Sequence, residues 1–242
     1  MIAYDQFAAF VANLGKYNEG DIVGDWLPLP YDPDELGGWL RQHALIGTAD
    51  EFGQPYEEYL VMDFDNLPVV ADSVGLGDLL AREGMQYVSL PDLNLMAAAC
   101  EEARLADNEA LEAYCRYCDT PSTIDEACNL LVQADDIPYY PFTCSGASPE
   151  ESMGLTYAEE TGLADALEGV DVGTTLPSAS SYLDYGSLGA DLATLGYGLM
   201  EHGYIDTLAG VPSLDELSHE ELLDEVGLLP DEPVAGDGGD AR

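Results

Sequence analysis

Positive charge is nearly absent from this chain, and that absence constrains its fold more than any other feature of the sequence. Six Lys and Arg residues stand against 48 Asp and Glu in 242 residues, which gives a formal net charge of −42. No Lys or Arg occurs from Tyr117 to Ala241. Most globular surfaces mix both signs, because like charges destabilise a compact chain. Any fold must therefore keep its carboxylates in water and tolerate a strongly negative surface.

The rest of the composition is that of a folded protein. Hydrophobic residues make up 47% and aromatic residues 9% of the chain, which is enough to bury a core and too much for a disordered acidic chain. A length of 242 residues allows one large domain or two to three small ones. Five cysteines, an odd number, argue against a complete disulfide framework.

We expect a cytoplasmic protein. The first residues, Met1–Asp5, carry no basic region and no long apolar run, unlike a secretory signal. No stretch of the sequence approaches the roughly 20 apolar residues that a helix needs to span a bilayer.

Local patterns predict the α+β class, with an elongated chain of three small domains. Strand-like segments occur near both ends, and apolar residues recur at helical spacing in the middle. We therefore expect mixed α/β units on either side of a helical middle. The predicted divisions are an N-terminal α+β domain over 1–66, a helical middle domain over 67–136, a C-terminal α+β domain over 137–210 and an acidic helical or disordered tail over 211–242.

Capping residues predict where three helices begin. Asp32-Pro33-Asp34-Glu35, Ser148-Pro149-Glu150-Glu151 and Ser213-Leu214-Asp215-Glu216 each place an N-cap residue three positions before a glutamate. The first two also place proline at the first helical position, where its fixed φ fits. Strands are predicted at 10–14, 22–27 and 59–64, and a hairpin is predicted over 197–208.

No catalytic, cofactor or metal motif is matched. Cys115-x-x-Cys118 lacks a second cysteine pair and a nearby histidine, so we interpret it as part of a buried helix face rather than a zinc site. Asp63-Phe64-Asp65 resembles the start of a calcium loop, but Leu67 and Pro68 occupy the positions that need an acid or amide and a glycine. Phosphate-binding glycine loops and nucleophile motifs are missing. We expect no enzyme activity and no cofactor.

Three explanations of the acidity stay open on these grounds: adaptation to high salt, divalent-metal binding and imitation of a polyanion. Duplex DNA carries about one charge per 1.7 Å of axis, so a net charge of −42 corresponds to roughly 70 Å of duplex, about 21 base pairs. A folded protein reaches the same charge per unit length as duplex DNA only if the molecule is elongated. Three small domains in a row would supply such a shape.

Several segments, in order along the chain, resemble the ArdA family of antirestriction proteins. Val11–Gly20 (VANLGKYNEG), Val23–Trp26 and Tyr56–Tyr59 are similar to the family's N-terminal signature, and Tyr157–Gly162 and Tyr182–Leu192 are similar to its C-terminal part. The resemblance is most specific at the N-terminal end. The motif residues to which it gives a structural role are Asn13, Leu14, Gly15, Lys16, Tyr17, Asn18, Glu19, Gly20, Trp26 and Tyr185.

This resemblance implies an elongated, three-domain protein that dimerises and imitates bent B-form DNA. Such a protein occupies the DNA-binding groove in the specificity/methyltransferase core of a type I restriction-modification enzyme, and binds neither nucleic acid nor membrane itself. It would protect incoming mobile DNA from restriction; the sequence leaves open whether modification is blocked too. Three features depart from the family's pattern: Ala190 in place of a frequent arginine, an apparent insertion at 163–176, and the tail after about Gly210.

We expect the contacts with the enzyme to be spread over two groups of carboxylates, because DNA-binding grooves gain their affinity from many phosphate contacts. The candidates are Glu57, Glu58, Asp63 and Asp65 near the third strand, and Glu159, Glu160, Asp184 and Asp191 in the C-terminal part.

Lys16 is the only lysine in the chain. It lies among Gly15, Asn18 and Gly20, which tolerate positive φ, so the stretch predicts a turn between two strands. We hypothesise that Lys16 is structural and neutralises the carboxylates that this turn crowds together. The alternative is an exposed lysine without a structural role. The candidate partners are Glu19, Asp21 and Asp25.

Overall fold

The computed structural model describes residues 6–43, 45–84, 88–106, 108–170, 176–208 and 210–229. The described residues form eleven α-helices and two three-stranded antiparallel sheets, which confirms the mixed helix-and-sheet class. They divide into two compact units: unit 1 lies within 1–104, 122–132 and 216–242, and unit 2 within 105–121 and 133–215. The elongated three-domain arrangement and its boundaries stay predictions.

The sheet of unit 1 is built on a buried central strand. Strand β1 (Ala8–Asn13) pairs antiparallel with β2 (Gly24–Pro28) on one side and with β3 (Tyr59–Asp65) on the other. Helix α1 (Leu14–Glu19) follows β1, and α2 (Pro33–Gln42) follows β2. The three strands that the sequence predicts are confirmed within about two residues, because each is a short apolar run that ends at turn residues.

Unit 1 contains one almost wholly buried helix, α5. In α5, every residue from Leu93 to Cys100 is buried, so this helix has no solvent face over that stretch. It packs against α7, which in turn contacts α4 and α11. The helices are α3 (Val69–Ser73), α4 (Leu76–Glu83), α5 (Leu90–Glu102), α7 (Ile124–Val132) and α11 (His219–Glu225).

A buried amide connects α5 to the segment after β2. Asn94 is 2% exposed, and its Oδ1 accepts the Tyr31 backbone N–H at 2.6 Å while its Nδ2 donates to the Tyr31 carbonyl at 2.9 Å. Because a buried polar group must find partners, this two-bond pairing fixes the position of α5 relative to that segment.

The prediction that Ser213 caps the last helix is wrong. Helix α11 begins at His219, and Ser218 is its N-cap, in a reciprocal capping box with Glu221. The amide of Leu217 is instead bonded to Asn129 Oδ1, at 3.3 Å, which holds the chain out of a helix just before Ser218. Both serines have a glutamate three residues later, so the local spacing does not separate them.

Unit 2 packs helices against a small second sheet. The core contains Met153, Leu192 and Tyr204, and the hairpin predicted over 197–208 is confirmed. The helix predicted from Ser148 is also confirmed, since the Ser148 Oγ accepts the Glu151 N–H. The elements are strands β4 (Tyr139–Pro141), β5 (Tyr197–Leu199) and β6 (Gly203–Asp206), in sheet order β4-β6-β5, and helices α6 (Asn108–Tyr117), α8 (Pro149–Glu160), α9 (Leu163–Glu168) and α10 (Tyr185–Leu195).

Two glycines let α8 and α10 approach each other's backbone. A Cβ at Gly189 would overlap the carbonyl of Glu150, and a Cβ at Gly154 would overlap the carbonyl of Tyr185. The close approach therefore depends on the missing side chains rather than on flexibility.

We expect Gly189→Ala to lower the free energy of unfolding by about 3 kcal/mol, because the new methyl group meets rigid backbone and must separate the two helices. Gly38→Ala in α2 is the matched control: its Cβ meets open space, so we expect stabilisation by about 0.5–1 kcal/mol. Urea titrations of both variants measure the difference. Equal effects would show that the helices are not in this contact.

A carboxylate on α6 holds the turn between β5 and β6. The Oε1 atom of Glu109 accepts the His202 backbone N–H at 3.0 Å, and its Oε2 lies 3.2 Å from His202 Nδ1. Burial alone would raise the pKa of Glu109, but the hydrogen bonds from the His202 N–H, the Tyr139 hydroxyl and the Glu201 N–H together hold it below the usual value of 4.5.

We expect Glu109→Gln to destabilise the protein at pH 7 by about 1–3 kcal/mol, because hydrogen bonds to a partly buried charge are lost. Since the folded pKa lies below the unfolded one, the wild-type contribution is present above pH 4.5 and is lost as the pH falls through the folded pKa. The difference between variant and wild type should therefore shrink as the pH falls below 4.5. Glu112→Gln, exposed on the same helix, is the control and should change little.

Candidate functional site

The segment Asn13–Gly20 forms a short helix, not the turn that the sequence predicts. Asn13 is fully buried, and its Oδ1 caps α1 by accepting the Lys16 N–H at 2.9 Å. Gly20, at φ 97°, ends the helix, and its N–H donates to the Tyr17 carbonyl at 3.0 Å. Of the three residues that tolerate positive φ, only Gly20 uses it.

Lys16 takes part in a compact polar cluster with Glu19 and Tyr56. Its Nζ lies 2.7 Å from Glu19 Oε2, and the Tyr56 hydroxyl donates to Glu19 Oε1 at 2.5 Å. The ammonium also lies 5.0 Å from the centre of the Tyr56 ring, within cation–π range. A Cβ at Gly15 would overlap that ring, so glycine is required there.

This geometry supports a structural role for Lys16. The hydrogen bond with Glu19 raises the pKa of Lys16 above its ordinary value, and the hydrogen bonds from Lys16 and Tyr56 lower the pKa of Glu19. Both groups therefore stay charged across the neutral range. Asp25, a second candidate partner of Lys16, lies instead with its Oδ2 2.7 Å from Nδ1 of His43.

The other motif residues also serve packing. Trp26 lies opposite Phe10 across β2 and β1, with ring centroids 5.4 Å apart in an edge contact, and the Phe10 ring covers Gly24. In unit 2, Tyr185 begins α10 and its hydroxyl donates to the Ser180 carbonyl at 3.1 Å. The remaining members of the motif are Leu14, Tyr17 and Asn18, all within α1.

All four N-terminal candidate carboxylates are exposed. Glu57 and Glu58 lie between Tyr56 and β3. Asp63 and Asp65 are alternate residues of β3, so they share one face of the sheet. The group therefore lies on β3, an edge strand of the unit 1 sheet, and on the two residues directly before it.

The four C-terminal candidates are exposed too, but three of them also hold the fold. Glu160 accepts the Tyr204 hydroxyl at 2.9 Å, and Glu159 accepts the Thr143 hydroxyl at 3.2 Å. Asp184 caps α10 by accepting the Ser187 N–H at 2.9 Å, and that bond lowers the pKa of Asp184. Asp191 lies on the exposed face of α10. All four belong to unit 2.

Each histidine contacts one carboxylate, and sequence reasoning missed all three pairs. His43 Nδ1 lies 2.7 Å from Asp25, His202 Nδ1 3.2 Å from Glu109 and His219 Nδ1 3.1 Å from Asp125. The partners are separated by 18, 93 and 94 positions, so no local spacing could have indicated them.

The cysteines are all free thiols. Burial raises the pKa of Cys100 to about 12 and that of Cys115 to about 11, so both are protonated and unreactive at neutral pH. Within the described ranges, no group of three or more His, Cys, Asp or Glu side chains is placed to hold a metal ion.

We expect Lys16→Gln to lower the melting temperature, because Glu19 and the Tyr56 ring lose their cation. Tyr56→Phe should lower it too, and the two effects should be non-additive, since both act through Glu19. Arg41→Gln removes the same charge and is the control. If thermal melts of Lys16→Gln and Arg41→Gln coincide with the wild type, Lys16 has no structural role.

In a comparison with protein-family models, the chain matches the antirestriction protein family ArdA over residues 9–206. The match begins inside β1 and ends at the last residue of β6, so α11 lies outside it. No curated protein matches the chain. In the part of the chain that the structure describes, no helix is both long enough and apolar enough to cross a bilayer. Because the family model covers most of the chain, the protein belongs to the ArdA family of antirestriction proteins.

Proposed function

We propose that the protein is an antirestriction inhibitor that imitates B-form DNA. It occupies the DNA-binding groove of a type I restriction-modification enzyme, as a cytoplasmic homodimer, and acts by occupancy rather than by catalysis. The observation that carries this proposal is the match to the antirestriction family over residues 9–206. Two of the three explanations of the acidity, salt adaptation and metal binding, have no comparable support.

The charge distribution of the protein supports inhibition by electrostatic attraction to the enzyme's DNA-binding groove. In its sequence ranges, unit 2 contains a single Lys or Arg, Arg116, among many carboxylates. A DNA-binding groove is lined with cations that gain affinity by releasing counterions from phosphates. A surface of ionised carboxylates engages the same cations, and the near absence of its own cations avoids repulsion inside that groove.

The direct test is displacement of DNA from the enzyme. A purified type I restriction-modification enzyme is bound to a fluorescent duplex that contains its recognition sequence, and the protein is titrated in while anisotropy is measured. We expect complete displacement at low salt and weaker competition as salt rises, because the attraction is screened. Unchanged anisotropy at protein concentrations far above that of the duplex would contradict the proposal.

We expect inhibition to be spread over many carboxylates. Single Gln or Asn substitutions at Glu57, Glu58, Asp63 or Asp65 should weaken displacement by less than about tenfold, since each is one charge among many. The fourfold variant should weaken it strongly and leave the fold intact, because these side chains are exposed and self-repulsion falls.

The matched control removes four exposed acids from the segment outside the family match. The quadruple variant of Glu216, Glu220, Asp224 and Glu225 carries the same change in net charge. We expect it to displace DNA nearly as well as the wild type. If the two quadruple variants behaved alike, net charge alone would explain the inhibition. If one single substitution abolished inhibition while the protein stayed folded, a localised contact would explain it instead of a distributed one.

A further inference from the structure

An exposed aromatic ring lies at the tip of a short hairpin in unit 1, residues 47–56, where Ala49 and Pro55 form an isolated antiparallel bridge. Phe52 is 81% exposed, the highest value among the large hydrophobic side chains that the structure describes. Its neighbour Glu51 is exposed as well. An aromatic ring that is exposed to water beside acidic residues buries little surface in the fold, so it is available to contact another molecule.

The backbone that carries this ring is held by hydrogen bonds. Asp50 Oδ1 accepts the N–H of Phe52 at 2.9 Å and that of Gln54 at 2.7 Å. The Gly53 N–H closes the turn on the Asp50 carbonyl at 3.1 Å, with Gly53 at φ 82°. The Asp50 N–H donates to the Gln54 carbonyl at 2.9 Å. The backbone that carries Phe52 is therefore held by four hydrogen bonds and does not have to be ordered on binding.

The family signature anchors the base of the same hairpin. The Tyr56 N–H donates to the Thr48 carbonyl at 2.8 Å, and the Gly47 N–H donates to the Tyr56 carbonyl at 3.1 Å. Tyr56 is in turn held by Glu19 and packs on Gly15. Because Glu57 and Glu58 follow Tyr56 directly, one rigid connection positions both the aromatic tip and candidate contact carboxylates.

We propose that Phe52 imitates a base that has been flipped out of the duplex, and that it enters the target-base pocket of the methyltransferase in the restriction-modification enzyme. This inference rests on the proposed function. Enzymes that modify a base in duplex DNA extrude it into a pocket where it stacks between aromatic or apolar side chains. A mimic made of carboxylates alone would leave that pocket empty.

The chemistry of the tip matches an extruded nucleotide in two respects. A flat apolar ring replaces the base, and stacking is the part of base recognition that a phenyl ring reproduces. The exposed carboxylate of Glu51 directly precedes the ring on the chain, as a phosphate adjoins a flipped nucleotide. The ring thus adds a localised apolar contact to an otherwise distributed electrostatic attraction.

The test measures the Phe52→Ala variant in the DNA-displacement assay. Stacking of a base on an aromatic side chain predicts a loss of affinity of roughly 5- to 150-fold. Phe52→Trp should retain affinity, because it keeps the stacking surface. Val69→Ala, which truncates another apolar side chain that is 73% exposed, is the matched control and should lose less than about twofold.

A double-mutant cycle identifies the pocket. The enzyme partner carries an alanine in place of the aromatic residue that stacks on the flipped base, and we expect Phe52→Ala to lose less than about twofold against it. An equal loss on both enzymes would place Phe52 elsewhere and overturn the inference, as would an unchanged affinity of Phe52→Ala. In either case the wild type still displaces DNA and the proposed function stands; if the wild type displaces nothing, both fall.

Discussion

Repulsion between carboxylates is the constraint on which the rest of this structure depends, and the protein meets it mainly with neutral hydrogen-bond donors. Ser122 donates to Glu126 from both its N–H and its hydroxyl, at 2.6 and 2.8 Å, and these bonds lower the pKa of Glu126. Ser218 does the same for Glu221, and Ser187 for Asp184. Hydrogen bonds to an ionised acceptor stabilise the fold without adding positive charge. The local structure is held while the surface stays negative.

The same constraint explains how the helices pack. Charged side chains are kept to exposed faces, so the contacts between helices depend on small and apolar residues. In unit 1 the buried stretch of α5 is rich in alanine, and in unit 2 Gly154 and Gly189 bring α8 and α10 into backbone contact. The buried polar residues that the structure describes, Asn13, Asn94, Ser152 and Thr156, carry amides or hydroxyls that bond to backbone and have no charge. Burial of apolar surface can then offset the self-repulsion of the surface.

Local signals in the sequence predicted most strands and helix starts, whereas long-range contacts determine the start of α11 and the helix that contains Lys16. The strands of unit 1 and the helix starts at Asp32 and Ser148 follow from residues within four positions of each other. Ser213 and Ser218 offer equal caps; the helix begins after Ser218, where Asn129 binds the Leu217 amide and Leu222 is fully buried on the helix that packs against α7. The helix at Lys16 was missed because its glycines suggest a turn, whereas Gly15 makes room for a ring 41 positions away. The contact carboxylates stay a prediction, since exposure does not distinguish one acid from another in a chain with 48 of them.

The place of the single lysine follows from these considerations. In the DNA mimicry that we propose, a surface cation would be repelled by the cationic groove of the enzyme unless a neighbouring carboxylate offset its charge. Lys16 meets that condition, because its ammonium is bonded to Glu19 and lies over the Tyr56 ring. Tyr56 in turn supports the hairpin that carries Phe52 and precedes the first candidate carboxylates. Lys16, the only lysine in this acidic chain, therefore stabilises the base of the surface that we propose contacts the enzyme.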